Sequence, residues 1–194
     1  MRNRLLLIVM IISLFGCSKL PTLDIYSIEM PIIKSKQQSK YKNKTVKIAY
    51  PKSLKDTITQ NMDFTYSSSE RGSYQNSQWS NNLAKLLQGA TIELLESSQI
   101  YKAVVPDSST ISEDYTIEST IYAFYHSLKS NNSKAIVSIE YRLIDSTDNR
   151  LIKSKRFSYA EDTTTKDAKG YVEATNKIMK RLGDDLLSWL SYNS

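Results

Sequence analysis

The sequence has few of the residue types that build disulfide frameworks, metal centres or collagen-like repeats. Its 194 residues include one cysteine, one histidine, five glycines and four prolines. A single cysteine excludes an internal disulfide and a cysteine-rich zinc site, and a single histidine excludes a multi-histidine metal centre. The glycine and proline content excludes collagen-like and loop-dominated scaffolds. The apolar run near the start is shorter than the about 20 residues that a membrane-spanning helix needs.

The remaining composition is typical of one folded domain. Hydrophobic residues make up 40% and charged residues 24% of the chain, and the formal net charge is +6. A chain of this length and composition buries a substantial core. The sequence contains no glycine-rich phosphate loop, no HExxH or GxSxG motif and no paired-cysteine spacing. We therefore expect no enzymatic activity and no bound cofactor or metal.

The first 17 residues follow the order of a bacterial lipoprotein signal. Two arginines precede an apolar run over residues 5–15, and Leu14 and Gly16 stand three residues and one residue before Cys17. This pattern predicts a signal peptide over residues 1–16 and a diacylglyceryl group on Cys17. The alternative is an ordinary secretory signal followed by a chance cysteine, which the spacing and the uniqueness of the thiol disfavour.

Removal of residues 1–16 leaves a mature chain with a formal net charge of +4. So small an excess on an exported protein argues against nucleic acid as a partner, and export argues against ATP or NAD. Acyl chains on Cys17 would hold the protein to a membrane, since each buried methylene contributes about 0.8 kcal/mol. Ser18 follows the cysteine where an inner-membrane retention signal has aspartate. We therefore expect a lipid anchor in the outer membrane and a domain in the periplasm.

Residues 17–44 are predicted to form a lipidated N-terminus with a short strand and a polar linker. The strand covers residues 23–28, and the linker covers residues 34–44. Eight lysines and no acid occur from residue 34 to residue 55. They are either solvated or attracted to an anionic lipid or protein surface. The linker would set how far the domain reaches from the bilayer.

Residues 45–194 are predicted to form one α+β domain. Apolar residues at helical spacing predict two long helices, over residues 77–97 and 166–190. Residues 45–50 and 62–66 alternate as short strands do. Three longer alternating runs with short turns predict an antiparallel meander over residues 114–126, 135–144 and 151–159. The expected fold is a mostly antiparallel sheet with the two helices packed on one face.

Few side chains are candidates for chemistry. His126 could serve as a general base, but the end of a strand favours a histidine that faces solvent. Several carboxylates lie in predicted turns or on the polar side of the second helix. Acids at such positions are more simply explained as solvated surface residues than as a catalytic pair. These carboxylates belong to Asp145, Asp148, Glu161, Asp162, Asp184 and Asp185.

Aromatic residues are more informative. The 13 tyrosines are explained either by strand propensity and core packing or by an assembly surface on which some of them are exposed. Trp79 is expected to be the first large apolar residue of the helix over residues 77–97 and to be buried against the sheet.

The ordered motifs resemble those of the ABC-type transport auxiliary lipoprotein components, the paraquat-inducible auxiliary lipoprotein group. The resemblance covers nearly all of the mature chain. It comprises a lipidated cysteine, an early Tyr-x-aliphatic strand, a strand that ends in Pro before Leu, a Trp-x-x-x-Leu segment, an Asp-Tyr strand, a Tyr-x-Leu-x-Asp strand end and a closing helix. The residues are Cys17, Tyr26, Ile28, Pro51, Leu54, Trp79, Leu83, Asp114, Tyr115, Tyr141, Leu143, Asp145 and Trp189.

The resemblance implies a non-catalytic role beside a mammalian-cell-entry (MCE) domain protein and the components of an ABC transporter. In that role the protein helps a lipid or another hydrophobic solute to cross the envelope, and it is expected to form a homo-oligomer. The alternative is a structural or assembly lipoprotein of another outer-membrane machine, such as lipopolysaccharide export or secretion. A periplasmic hydrolase ranks last, because the sequence contains no visible nucleophile–base pair.

Overall fold

The computed structural model describes residues 22–32, 39–54, 59–129 and 132–191, which contain nine strands and two helices. The strands are β1 (Asp24–Tyr26), β2 (Thr45–Ile48), β3 (Lys52–Ser53), β4 (Asn61–Thr65), β5 (Arg71–Trp79), β6 (Ala103–Pro106), β7 (Tyr115–Ser127), β8 (Lys134–Asp145) and β9 (Arg150–Asp162). The helices are α1 (Leu83–Ser98) and α2 (Ala168–Ser191).

The three long strands form the predicted antiparallel meander, with β8 between β7 and β9. The other edge of β7 pairs in parallel with three short strands in succession, first β2, then β3 and then β4. β6 extends β2, whereas β5 and then β1 extend β4. The sheet therefore divides into two branches beside β7.

The sheet is mixed, so the expectation of a mostly antiparallel sheet holds only in part. Strands β2, β3 and β4 precede α1 in the chain, and β7 follows it, so the connections are long enough for parallel pairing. Alternation within a segment shows that a strand forms, but it does not show which strand is its partner. The antiparallel expectation held only where two strands are joined by a short turn.

Both helices pack on the same face of the sheet, as predicted. α1 lies over β2 and β6, and α2 lies over β8 and β9. Their apolar faces and the inward side chains of the strands form one core, because every third or fourth helical residue and every second strand residue share a face. Large members of this core include Trp79, Tyr141, Tyr171, Leu87, Leu94, Ile117, Ile139 and Ile178.

Helix α1 begins six residues later than residue 77, where the sequence placed its start. Trp79 is the last residue of β5, although it is buried as expected. The N-cap is Asn82, whose Oδ1 accepts a hydrogen bond from the backbone N–H of Lys85 at 2.8 Å. A side-chain oxygen at this position satisfies one of the free N–H groups of the first turn. Helix α2 agrees with the predicted range within two residues at its start and one residue at its end.

A β-bulge at Tyr122 divides β7 into two halves. The pairing of β7 with β8 shifts between Ile121 and Ala123. Ile117 and Ile121 face the helices before the bulge, whereas Phe124 and His126 face them after it. Strict alternation along β7 would put Ala123 on the side of Ile117 and Ile121. The extra residue of the bulge reverses the faces and puts Phe124 on that side instead.

The segment that follows β1 crosses the outer side of α2. Ile28 is buried, and the backbone N–H of Glu29 donates to Asn176 Oδ1 at 3.2 Å. Farther along, the Pro31 ring lies so close to Gly183 that a Cβ atom there would be 3.1 Å away. Residues 34–44 therefore connect two strands of the same sheet, and part of that stretch lies outside the described residues. Because β1 precedes them and belongs to the sheet, they do not lie between Cys17 and the domain, so the expected role of this linker as a membrane spacer was wrong.

Candidate interaction surface

The open face of the sheet is the side of β7, β8 and β9 that the helices leave uncovered. Along β8, buried residues alternate with half-buried residues that point away from the helices. The register with β7 and β9 places these half-buried residues in continuous rows across the three strands. The central residues of the open face are Glu118, Thr120, Tyr122, Ser138, Glu140, Arg142, Ser154, Arg156 and Ser158, and Tyr125, Ile136 and Ile144 lie towards its two ends.

A charged network occupies the centre of the open face around Glu140. Arg142 Nε donates to Glu140 Oε1 at 2.6 Å, and Tyr122 Oη donates to Glu140 Oε2 at 3.0 Å. Arg156 Nη2 lies 3.6 Å from Glu140 Oε2, and the Arg156 guanidinium lies 3.4 Å from the centre of the Tyr122 ring. Arg142 Nη1 reaches Glu118 Oε2 at 4.0 Å. The network therefore spans all three long strands.

Each charge of this network has an opposite neighbour. The hydrogen bond from Arg142 holds the pKa of the Glu140 carboxyl below its usual range, and Glu140 raises the pKa of Arg142 in return. Glu140 therefore stays ionised near neutral pH and accepts hydrogen bonds. Two glutamates balance two arginines, so the network is neutral. Such a polar network, with side chains held by one another, is suited to a protein contact that fixes register and orientation.

A narrow cleft lies between the two branches of the sheet. It is lined by Ser53 on β3, by Asn61 and Asp63 on β4, and by Ile121 to Phe124 on β7, with Trp79 beside it. Its volume of about 40 Å³ is enough for a few water molecules and far below the roughly 300–1,000 Å³ of a small-molecule site. A more open depression of about 340 Å³ lies beside Tyr101 and Lys102, which precede β6.

The structure buries His126, so the expectation of a solvent-facing strand end was wrong. The bulge turns His126 towards α2, where it has no exposed surface. Its Nδ1 lies 2.7 Å from Tyr74 Oη, and its Nε2 lies 2.7 Å from Ser133 Oγ. Ser133 Oγ in turn lies 2.6 Å from Thr163 Oγ1. This cluster joins β5, β7 and the loops beside β8 and β9, and the alternation pattern gave no sign of it.

Burial lowers the pKa of His126 to about 4. A neutral imidazole with both nitrogens bound to hydroxyl groups and no access to solvent cannot meet a substrate. The sequence hypothesis of a general base is therefore not supported by the geometry of His126. Its structural role is to satisfy and connect polar groups in the core.

The carboxylates that the sequence singled out lie on the surface and mostly pair with cations. Asp145 and Asp148 lie near Arg150, at 3.8 and 3.2 Å from its Nη2 and Nε. Glu161 pairs with Arg181 at 2.9 Å, and Asp185 Oδ2 accepts a hydrogen bond from Tyr159 at 2.6 Å. Among the described residues, no group of three or more histidine, cysteine, aspartate or glutamate side chains is arranged to hold a metal.

Most tyrosines serve the core rather than the surface. Of the twelve within the described residues, four are buried, six are half-buried and two are exposed. The exposed ones, Tyr50 and Tyr66, are 40% and 49% accessible. Tyr122 and Tyr125 are the two half-buried tyrosines in the C-terminal half of β7. Few tyrosines are therefore accessible enough to build an assembly surface. Tyr122 is one of them, and it belongs to the network on the open face.

The lysine-rich stretch is partly neutralised. Lys44 Nζ donates to Asp114 at 2.8 Å, and Lys47 Nζ pairs with Glu113 at 2.7 Å. These lysines lower the pKa values of the two carboxyls. Lysines 34, 36 and 55 lie outside the described residues.

The lipobox falls outside the described part of the chain. Residues 1–16 and Cys17 lie outside the described residues, so the predicted signal peptide and lipidation site stay predictions. None of the helices in the described ranges is sufficiently long and apolar to cross a bilayer.

Comparison with known proteins identifies relatives of this fold. The protein XCC0632 from Xanthomonas campestris is 16% identical with a TM-score of 0.77, and the match covers 86% of this chain and 94% of that one. A PelC dodecamer from Paraburkholderia phytofirmans is 9% identical with a TM-score of 0.51, over 86% of this chain and 95% of that one. At such low identity these structures show that the fold is shared.

Comparison of the sequence with curated proteins gives no match. The model of one protein family matches residues 26–186, from β1 to the last turns of α2. The match therefore includes the three long strands, both helices and the open face. The chain belongs to the family of ABC-type transport auxiliary lipoprotein components.

Proposed function

We propose that this protein is a non-catalytic envelope lipoprotein that assists an MCE/ABC-type system in moving lipids or other hydrophobic solutes between membranes. The observation that carries the proposal is the family match over residues 26–186. The family name describes an auxiliary transport component. An auxiliary component acts by binding its partners, and the open face supplies a polar network for such a contact.

The proposed anchor is an acylated Cys17 in the outer membrane, after removal of residues 1–16. The basic start, the short apolar core and the glycine before the only cysteine support it. Labelled palmitate should enter the wild-type chain and not a Cys17→Ala variant. The wild type should fractionate with the outer membrane. Equal labelling of both chains would refute the anchor, and fractionation wholly with the inner membrane would refute the sorting.

The narrow cleft is too small to carry a lipid through the domain itself. Its volume of about 40 Å³ leaves no space for an acyl chain, and the larger depression beside Tyr101 and Lys102 is open to solvent and does not enclose one. We therefore place the lipid route between copies of the protein or through the MCE-domain partner. A dodecameric protein with the same fold is consistent with assembly into a homo-oligomer. A standard contact needs about 800 Å² from each partner, and three strands of 12 or 13 residues offer a surface of that order.

A photo-crosslinking experiment tests the contact on the open face. Ser158 is exposed at the centre of β9, with its Oγ 2.8 Å from Ser138 Oγ. Lys180 is exposed on α2, on the other side of the molecule. A photoreactive residue at position 158 of the full lipidated chain should give crosslinks in native membranes, whereas position 180 should give few. Equal yields at both positions would refute the open face as the contact.

The identity of the crosslinked chains separates the two functional classes. An MCE-domain protein or an ABC-transporter component, together with further copies of this chain, is the expected result. Native mass spectrometry of the detergent-extracted lipoprotein should show the same oligomer. The alternative is an assembly lipoprotein of another outer-membrane machine, and capture of a lipopolysaccharide-export or secretion component would favour it. A monomer without an MCE partner would refute the proposal.

A further inference from the structure

Strand β1 and the residue before it present two aliphatic side chains to solvent at an edge of the sheet. Leu23 is 50% exposed and Ile25 is 60% exposed. Because successive residues of a strand point to opposite sides, the two side chains share one side, which we call the anchor edge. β1 pairs with β5 alone, in parallel, with Ile25 opposite Gln78. Other exposed aliphatic residues of the described ranges, Ile32, Leu54, Ile111 and Leu151, are separated along the chain. Leu23 and Ile25 differ from them in sharing one side of an edge strand and in being nearest to Cys17 in the sequence.

The chain length limits where the anchor edge can lie. Leu23 is six positions after Cys17, and six extended residue steps span at most about 21 Å. An acylated Cys17 sits at the membrane interface, so Leu23 lies within about that distance of it. Residues 34–44 cannot lengthen this tether, because they follow β1 in the chain.

The register of the sheet places other residues far from the anchor edge. Leu151 is 52% exposed and pairs with Ile144, which lies opposite Thr116 near the start of β7. From β1 to β9 there are five strand steps, through β5, β4, β7 and β8, or about 24 Å at 4.8 Å for each step. Leu151 also lies about seven residues farther along the strands, or roughly 23 Å. It therefore lies at the opposite corner of the sheet.

We infer that the anchor edge, through Leu23 and Ile25, inserts into the lipid interface of the membrane that holds Cys17. This inference rests on the proposed lipidation. Exposed aliphatic groups gain free energy when they leave water for the acyl region. The short tether keeps them at a high effective concentration beside the bilayer, so a weak contact is sufficient. The domain thus rests on its membrane at a defined edge instead of swinging freely on the anchor.

Insertion of the anchor edge also determines on which side of the domain, relative to the membrane, the exposed lysines lie. Lys40, Lys42 and Lys102 are exposed beside the first residues of β2, where the Lys102 backbone N–H donates to the Lys44 carbonyl. The first residues of β2 pair with the first residues of β7. This end of the sheet lies about eight residues, or roughly 27 Å, along the strands from the level of β1. These lysines therefore point away from the anchoring membrane and towards the periplasmic partner, instead of binding the headgroups of that membrane.

Site-specific fluorescence tests the contact. Lipidation converts the only thiol of the chain into a thioether, so one introduced cysteine becomes the single labelling site. We compare Leu23→Cys and Ile25→Cys with Leu151→Cys, which matches them in size and exposure. Each full lipidated chain carries an environment-sensitive fluorophore in vesicles of phosphatidylethanolamine and phosphatidylglycerol that contain nitroxide-labelled acyl chains. Positions 23 and 25 should show blue-shifted emission and lose most of it to the nitroxide, whereas position 151 should resemble the probe in water.

The outcomes separate this inference from the function on which it rests. Water-like, unquenched emission at positions 23 and 25 of a lipidated chain would overturn the inference and leave lipidation intact. Equal quenching at position 151 would overturn it as well, because the domain would then lie flat or at random. Incorporation of two labels would show an unmodified Cys17, which refutes the proposed anchor and this inference with it. The mass of each chain before labelling gives that result independently.

Discussion

The imidazole of His126 lies face to face with the phenol ring of Tyr171. The two ring centres are 5.1 Å apart, and the planes are inclined by 4°. Both residues are completely buried. Burial lowers the pKa of His126 to about 4, although the charge of Asp167 opposes this shift. A neutral imidazole therefore fixes the end of β7 to the start of α2, with Tyr74 and Ser133 at its two nitrogens.

We expect the free energy of unfolding to fall when the pH decreases from 7.5 to 5. The pKa of His126 is about 4 in the folded chain and about 6.5 in the unfolded chain. Between these values the unfolded state binds more protons, so the stability from the neutral imidazole is complete above pH 6.5 and is lost as the pH falls towards 4. The loss from pH 7.5 to 5 should be about 2 kcal/mol. Denaturant unfolding at both pH values measures it.

A His126→Phe variant isolates this effect. Phenylalanine keeps an aromatic ring beside Tyr171, but it does not titrate. It removes the histidine hydrogen bonds of Tyr74 and Ser133 at every pH, so the variant should be less stable than wild type at pH 7.5. The difference in stability between wild type and variant should narrow at pH 5. An unchanged difference would show that His126 does not remain neutral in the folded state.

Truncation of Trp79 should be among the most destabilising single changes. Its indole is 1% exposed and meets the rings of Phe124 and Tyr171 edge to face at 5.9 and 5.8 Å. Loss of a buried tryptophan side chain costs about 3–5 kcal/mol. Trp189→Ala is the matched control, because Trp189 is only half-buried. Thermal and denaturant unfolding should rank Trp79→Ala well below Trp189→Ala, and the reverse order would contradict the packing.

The parts of the fold that the sequence predicted best are those that local periodicity determines. The three long strands alternate over 12 or 13 residues, and α2 repeats its apolar residues over six turns. Because short turns join the long strands, consecutive strands can pair only in the antiparallel direction. The sequence therefore predicted the meander and α2 nearly to the residue.

Features that depend on residues distant in the chain could not be predicted in this way. The bulge at Tyr122 adds one residue against β8, and nothing in the β7 segment marks it. His126 consequently faces α2 although alternation within the segment placed it elsewhere. The parallel pairing of β2, β3 and β4 with β7 is a choice among partners that local propensity does not encode. Trp79 fits a helical pattern, yet it ends β5, because tertiary packing overrides propensity.

Two glycines in the helices should respond differently to alanine. A Cβ atom on Gly89 in α1 would have no neighbour within 4 Å, whereas on Gly183 in α2 it would lie 3.1 Å from two carbons of Pro31 and 3.4 Å from Leu94. Alanine in a helix interior is favoured over glycine by about 1 kcal/mol. Gly89→Ala should therefore raise the free energy of unfolding by about that amount.

Gly183→Ala should give no such gain, because the segment over α2 has to move away from the new methyl group. Denaturant unfolding of the two variants beside wild type measures the contrast. Equal stabilisation by both would show that Pro31 yields without cost. It would then follow that the chain after β1 is only loosely held on α2, and that the anchor edge is less firmly placed than the contacts of Ile28 and Pro31 indicate.

Removal of the charge of Glu140 should destabilise the open face more than removal of an ordinary surface carboxylate. The Glu140 side chain is 16% exposed and accepts hydrogen bonds from Arg142 and Tyr122. Glu140→Gln leaves Arg142 and Arg156 close together without the acid between them. Hydrogen bonds to charged groups contribute about 1.5–3 kcal/mol when buried. Because the two arginines are partly solvated, we expect a loss of about 1–2 kcal/mol.

Asp148→Asn is the control for that change, since Asp148 is an exposed carboxylate that pairs with Arg150 at 3.2 Å. Exposed pairs add little to stability and are screened by salt, so denaturant unfolding should show no measurable change for this variant. Equal effects of the two substitutions would mean that the network at Glu140 behaves as a solvated surface pair. In the expected case, the Glu140→Gln chain should also give fewer crosslinks from position 158 in native membranes, because the arginines would no longer be held in one arrangement for a partner.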